Sequence, residues 1–386
     1  MNPPDFQRDV VCLAGLPFDR VDLASTVERV HHAIGERRRC WLSTANLDFV
    51  VGAQRDAAFR DTVWRSDLSV ADGMPLVWLA RLMGLGLPER VAGASLFERL
   101  CDETRRAVRF YFFGGPPGAA QRAGERLAAR PSAARCAGHD SPGFGSVASM
   151  SEATRLARIN ASGADFLVVA LGARKGQAWI EHNLDALETP VVAHLGAVVN
   201  FAAGTLTRAP RWVQAAGLEW LWRIKEEPHL WRRYAHDAAA LGRLVLRGAL
   251  PYAWRARRSR AGRSATGCAA ECADDDQGCT LRLSGACVAP DLQPLRNALA
   301  RAAGQAGPVR IDLREVQRVD AAAVALIGLL WTSRRPAVGR CTVVGARPAV
   351  RRVFECLGAA FLLAADDPAA RPLAARRYDG IGTAQK

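Results

Sequence analysis

The sequence predicts an α/β protein of two domains, and three observations carry that reading. Short apolar, β-branched runs alternate with longer helical stretches along most of the chain. Many of these runs end in a polar or glycine-containing turn that opens a helix, the repeating unit of an open parallel sheet. The chain has 386 residues, 49% of them hydrophobic, which exceeds one ordinary domain and supplies a core for each of two.

The units follow in order. RCWLSTANLDFVV (39–51) reads as a strand ending in a polar loop, and DLSVADGMPLVWLARLMG (67–84) as strand, polar turn and helix. VRFYFFGGPPGAAQRAGERLAA (108–129) and ADFLVVALGARKGQAWIEHNL (164–184) repeat that scheme. PVVAHLGAVVNFAAG (190–204) supplies a further strand and loop, closing a first domain over 1–204. Residues 205–260 form a basic, helical appendage, expected to break near Pro228 and Pro251. Residues 261–278 are small, polar and charge-blocked, and read as a linker. The pattern resumes over 279–386: strand 279–288, helix 292–305, a strand within 308–320, apolar helix 321–336, strand 341–346 and helix 348–359.

Charge is unevenly spread. The net charge is +14, and the segment Thr205–Arg263 holds thirteen Lys or Arg against four Asp or Glu, or +9 of that total. Five of the ten tryptophans stand in the same segment, interleaved with arginine. Arginine forks suit phosphate and tryptophan suits a membrane interface, so the segment fits a peripheral, anionic membrane surface and a lipid diphosphate. The same composition also serves nucleic acid by stacking, or simple packing of terminal helices. No nucleic-acid fold signature accompanies it, and no nucleic-acid partner is expected. The apolar run Ala321–Trp331 is about half of the ~20 residues that a spanning helix needs. With no basic-then-apolar start, the expected place is the cytoplasm, on the inner face of the cell membrane.

Candidate chemistry sits at strand ends. Asp72, in ADG after LSV, suits a helix cap first and a general base second. Thr44 and Asn46, in STAN, suit sugar hydroxyls or phosphate, and equally an Asx or Ser/Thr turn. Gly114 and Gly115, in GGPPG, permit close approach of a phosphate to the next helix, or form a purely structural turn. Arg174 and Lys175 offer two cations after a second glycine turn, or a solvated face. No paired carboxylate of the DxD kind ends a strand of the first domain, and Asp274–Asp276 falls in the expected linker. No metal or other cofactor is therefore expected. Cys268, Cys272 and Cys279 are the one cysteine cluster, lacking a fourth ligand for zinc, and read as ordinary reduced thiols. His194 reads as a core histidine, and no Ser/His/Asp arrangement stands out.

With these residues in view, about 10–240 resembles the WecG/TagA/CpsF family of bacterial glycosyltransferases. The matching pieces include TANLDFVVGAQRDAAFRD (44–61), LPERVAGASLFERL (87–100), FFGGPPG and AGTLTRAPRWVQAAGLEWLWRIKEEPHLWRRY (203–234). The resemblance implies a Rossmann-like parallel-sheet domain. It implies inverting, metal-independent transfer of a hexosyl- or N-acetylhexosaminyl-type sugar from a UDP-sugar to a polyprenyl-diphosphate-linked acceptor in surface polysaccharide synthesis. Asp72 then matches the general base, Thr44 and Asn46 the polar pair of the crevice, and Arg90 a substrate or diphosphate contact. Arg223, Arg232 and Arg233 match an appendage that closes the site over the lipid acceptor. Lys175, Gln177 and Asn200 fall at substrate-binding positions. The chain departs from the family at three of its positions: Gly176 stands for Gln, Gln177 for Glu, and Asn200 for Asp.

The second domain resembles a STAS domain, through LRLSGACVAPDLQPLRNAL, VRIDLREVQRVDAAAVALIGLLW and CTVVGARPAVRRVFECLGA. Regulatory members carry a phosphorylatable serine just after an Asp. Asp320 is followed here by Ala321, Ala322 and Ala323, so that switch cannot operate. A protein-binding, scaffolding or ligand-sensing role is expected instead. The alternative for the whole chain is a catalytically inactive member that scaffolds a polysaccharide-assembly complex.

Overall fold

The computed structural model describes residues 3–103, 106–215, 217–260, 267–275, 278–334 and 341–366. A hairpin opens the chain, β1 (Val10–Leu13) and β2 (Leu16–Asp19), followed by α1 (Leu23–Gly35). Next come β3 (Cys40–Ala45), α2 (Leu47–Arg55), α3 (Ala57–Arg65), β4 (Leu68–Ala71), α4 (Met74–Met83) and α5 (Gly93–Asp102). Then follow β5 (Arg109–Gly114), α6 (Ala119–Ala129), β6 (Arg135–Asp140), α7 (Ala153–Ala161) and β7 (Phe166–Ala170). α8 (Ala173–Asn183), β8 (Val191–His194) and α9 (Gly196–Ala202) complete this part. The appendage is α10 (Arg211–Ala215), α11 (Glu219–Glu226), α12 (Trp231–Leu244) and α13 (Leu250–Arg260). The last part is β9 (Ala269–Asp275), β10 (Gly278–Cys287), α14 (Gln293–Ala303), β11 (Val309–Val319), α15 (Ala321–Ser333), β12 (Cys341–Val344) and α16 (Pro348–Cys356).

Six strands form one fully parallel sheet in the order β4-β3-β8-β7-β5-β6. Their side chains alternate between two apolar layers, as the period of two requires. Leu42, Phe110, Phe112 and Val168 face one core, shared with α1, α5 and α6. Trp41, Tyr111, Phe113 and Val169 face the other, against Trp179 and Ile180 of α8. With both faces covered, loops and helix starts at the carboxyl ends of the strands are left to hold a ligand.

Three expectations need correction. The stretch after β8 is not a loop, because residues 196–202 continue as the short helix α9. Pro251 does not break the appendage. A π-helical turn at Val245–Ala249 widens the helix just before it, and α13 runs on. Such a bulge absorbs the N–H that proline lacks and the clash of its ring with the preceding turn. The stretch 261–278 holds a strand, since β9 pairs antiparallel with β10 from Ala269↔Ser284 to Asp275↔Gly278. Its sequence AAECADD has no β-branched residue, which hid it from a propensity reading.

The second sheet has the order β12-β11-β10-β9, with β10, β11 and β12 parallel. Its domain shares one continuous apolar core with the first. Leu13, Leu16, Trp64 and Leu76 lie in the same cluster as Leu295, Val324, Leu330 and Phe354. Gly328 of α15 lies flat on the Trp64 ring, where a Cβ would come within 2.4 Å. The Arg60 guanidinium stacks 3.7 Å over Phe361, Gly15 N–H donates to Leu357 O at 2.7 Å, and Ala321 N–H donates to the Tyr252 hydroxyl at 3.2 Å. The hairpin is itself pinned to the first sheet by the buried Asp19. That carboxylate accepts a forked bond from Arg8 (3.0 and 2.7 Å) and the Ser69 N–H at 2.7 Å. Forked, fully bonded pairs of this kind offset the desolvation of both charges.

Candidate active site

Asp72 follows β4, and its own N–H donates to Ala45 O at 2.8 Å. Its carboxylate does not cap α4, where Gly73 holds the N-cap position. It accepts instead from the Gly93 N–H at the start of α5, at 3.2 Å. α5 can approach so closely because residue 93 has no side chain; a Cβ there would meet Leu195 Cδ2 at 2.7 Å and Thr44 Oγ1 at 3.5 Å. Burial pushes the Asp72 carboxyl up to about 6. The Gly93 N–H and Arg90 pull it down, Glu219 pushes it up, and Arg208 pulls it down. A half-buried carboxylate in that range is ionised at neutral pH yet basic enough to take a proton.

Thr44 and Asn46 stand beside it at the end of β3. Thr44 is buried and its hydroxyl donates to His194 O at 3.4 Å. Asn46 caps α2, accepting from Phe49 N–H at 3.1 Å, so the turn reading holds for its carbonyl oxygen. Arg90 comes from the loop before α5 and ion-pairs with Glu219 of α11. Arg208 lies 3.9 Å from the other oxygen of Glu219, ion-pairs with Glu98, and donates to Ser95 Oγ at 2.6 Å. The appendage thus reaches the first domain through Glu219, and two arginines converge beside Asp72. Residue-type reasoning assigned no role to Arg208 or Glu219. The signal was present, since they are the charged members of the RAP and GLEW motifs.

The other expected residues fall into separate places. Gly114 and Gly115 both have positive φ (98° and 86°), and a Cβ on Gly114 would stand 2.6 Å from Ala170 O. This turn needs glycine to cross the end of β7. Gly115 also packs on Val199 of α9, the helix that carries Asn200. The Asn200 Oδ1 is buried without a hydrogen-bond partner. Arg223 lies 5.8 Å over the Phe201 ring on the same helix and pairs with Glu227 at 2.6 Å. Arg233 lines a cavity of about 210 Å³ with Asp48, Arg55, Arg174, His236 and Asp237, between α2, the start of α8 and α12. Arg232 is exposed and stacks on Trp231 at 5.6 Å, apart from these groups. Lys175 turns away, donating to Gly145 O at 2.9 Å.

Gln177 corrects its expectation. Its side chain is fully buried, accepting from Trp41 Nε1 at 3.1 Å and donating to Ser43 Oγ at 2.9 Å. It ties α8 to β3 beneath the crevice and presents nothing to a substrate. The neighbouring Gly176 has a cause as well. The His194 ring occupies the space of its side chain, with Cδ2 2.2 Å from where a Cβ would stand. Burial lowers the His194 pKa to about 4, so the ring is neutral. Among the described residues no group of three or more His, Cys, Asp or Glu is placed to hold a metal ion.

Glu219 offers a direct test of the electrostatics. Glu219→Gln removes a negative charge beside Asp72 and leaves Arg90 and Arg208 in place, so the Asp72 pKa should fall. A pH–rate profile should show the acid limb displaced to lower pH, with activity at pH 5 raised relative to pH 8. An unmoved limb would disconnect Glu219 from Asp72.

Residues 11–255 match the model of the glycosyl transferase WecG/TagA/CpsF family, and residues 271–364 match a STAS domain model of the Mlab type. Two curated relatives carry the name N-acetylglucosaminyldiphosphoundecaprenol N-acetyl-beta-D-mannosaminyltransferase. That of Bacillus subtilis (strain 168) is 24% identical over 220 residues, covering 56% of this chain and 84% of the relative. That of Bacillus spizizenii is 26% identical over the same length and shares.

Proposed function

Since the chain belongs to the WecG/TagA/CpsF family of glycosyl transferases, we propose that it moves a sugar from a UDP-sugar to a polyprenyl-diphosphate-linked acceptor, with inversion and without a metal. One observation carries the reading: the Asp72 carboxyl, pushed up to about 6 at the mouth of the parallel sheet and faced by Arg90 and Arg208. Asp72 takes the proton of an acceptor hydroxyl. That oxygen bonds to the anomeric carbon from the side opposite the UDP, whose bond breaks with the electron pair leaving on the diphosphate. A single in-line displacement inverts the centre. Thr44 and the N–H groups at helix starts orient the sugar and phosphates, and the arginines offset the departing charge. The names of the two relatives support a lipid-diphosphate acceptor of this kind.

The test is transfer itself. Purified protein with a panel of UDP-sugars and a short polyprenyl-diphosphate-sugar acceptor should yield a product heavier by one hexose or N-acetylhexosamine, with or without EDTA. No product across the panel would favour the scaffolding reading, and loss of product in EDTA would refute metal independence.

The same reading seats the protein on an anionic membrane. No helix among the described residues is long and apolar enough to cross one. Large apolar side chains are nevertheless exposed on the appendage, at Trp212, Trp231, Leu246, Leu250 and Trp254, with Arg243 and Arg247 exposed among them. Each arginine near an anionic surface contributes about 1 kcal/mol. Arg243→Gln with Arg247→Gln should therefore weaken binding to phosphatidylserine-containing vesicles about thirtyfold at low salt. Sedimentation with the vesicles measures it, and unchanged partitioning would move the contact off this face.

A further inference from the structure

Four of the chain's ten cysteines stand on, or one residue before, two neighbouring strands of the C-terminal sheet. Cys272 of β9 and Cys279 of β10 have Sγ atoms 2.7 Å apart, and Cys268, just before β9, lies 3.3 Å from Cys287 at the end of β10. The antiparallel register sets Cys272 opposite Leu281 and Cys279 opposite Asp274. The two cysteines are therefore diagonal neighbours on one face of the pair. A disulfide needs its sulfurs about 2.05 Å apart, so the two pairs stand about 0.7 and 1.3 Å beyond bonding distance. β9 is the edge strand, bonded on one side only, and its residues have little strand preference of their own.

We infer that these cysteines form two disulfide cross-links, Cys272–Cys279 and Cys268–Cys287, which fasten β9 to β10. The oxidant is a low-molecular-weight disulfide of the glutathione class. The half-buried Cys272 is the entry point: its thiolate attacks one sulfur of that disulfide, and one thiolate leaves. The buried Cys279, as thiolate, then attacks the Cys272 sulfur and expels the second. Two electrons pass from the cysteine pair to the oxidant, and the two cysteine protons end on the released thiols. In the second pair the hydrogen bond that links Cys268 to Cys287 holds the Cys268 thiol below its ordinary value, which makes Cys268 the attacking sulfur. Cys12, Cys40, Cys101 and Cys341 are internal controls, since burial pushes each thiol up to about 12.

The test uses the full chain in buffers of graded reduced-to-oxidised glutathione ratio, quenched by alkylation and digested without reduction. Trypsin should release peptide 264–282 joined to peptide 283–296 through Cys268 and Cys287. Cleavage at the aspartates 274–276 should leave Cys272 and Cys279 holding their two fragments together. Four of the ten thiols should be lost and six retained. Cys272→Ser should remove its own link and leave Cys268–Cys287 intact. Full alkylation of all four at the most oxidising ratio, or links to other cysteines or another chain, would overturn the inference. The wild-type map decides the matter even where a variant fails to fold.

Discussion

Asp72→Asn is expected to lower kcat by roughly 10²–10⁴, the range a positioned general base contributes, while leaving the fold intact. Asparagine keeps an oxygen to accept the Gly93 N–H, so the local geometry survives. In the wild type, transfer should rise with pH through about 6 and level off above it, because the base works only when ionised. The mutant should show no such limb. A mutant that retained both rate and limb would hand the base to another group.

The same substitution should act on stability in the opposite direction. The folded pKa of Asp72 is raised to about 6 from the ordinary 3.8. The folded state therefore holds this proton more tightly than the unfolded state. The proton's contribution is fully present below pH 4, is lost as pH rises through 6, and leaves the ionised group destabilising at pH 7–8. The effect is on the order of 3 kcal/mol. Thermal melts should find Asp72→Asn more stable than the wild type at pH 8 and little different at pH 4. Gain of stability with loss of activity is the mark of a carboxylate kept for chemistry.

The second large effect concerns residue 176. Gly176→Gln, which introduces the glutamine that the resemblance implies, should destabilise the protein by roughly 2 kcal/mol, the usual scale of overpacking. The added Cβ meets the His194 ring, which is buried and occupies that space. Better helix propensity of glutamine offsets only part of that. Gly176→Gln with His194→Ala should recover most of the loss, since the alanine vacates the contested space. Denaturant midpoints for both variants measure the coupling. Additive losses would mean that His194 and residue 176 do not share that volume.

The sequence made the parallel-sheet units and the end-of-strand residues legible, because both rest on local pattern. Thr44, Asn46, Asp72 and Arg90 do gather at one end of the sheet. What stayed hidden depended on partners distant in sequence. The β1–β2 hairpin turns on Ala14 and Gly15, both with positive φ (52° and 88°). Alanine there lacks the Asn-Gly signature of such turns, and the Gly15 N–H donates to Leu357 O. β9 is a strand because β10 lies beside it. Gln177 falls at a substrate position by resemblance alone and lies in the core by contact. The glycine at 176 is explained by the His194 ring in the space of its side chain, a partner 18 residues away.

The core shared between the two halves has a consequence for how the chain is made. Cys12 contacts Leu357 O across 345 residues, so the outer face of the hairpin has no cover when it leaves the ribosome. Synthesis proceeds at roughly 5–20 residues per second, so about 20–70 s pass before its covering residues exist. Through that interval Leu13, Leu16 and Trp64 lie open to any apolar surface nearby. A nascent chain of this protein is therefore a client for holding chaperones in a way that its finished form is not.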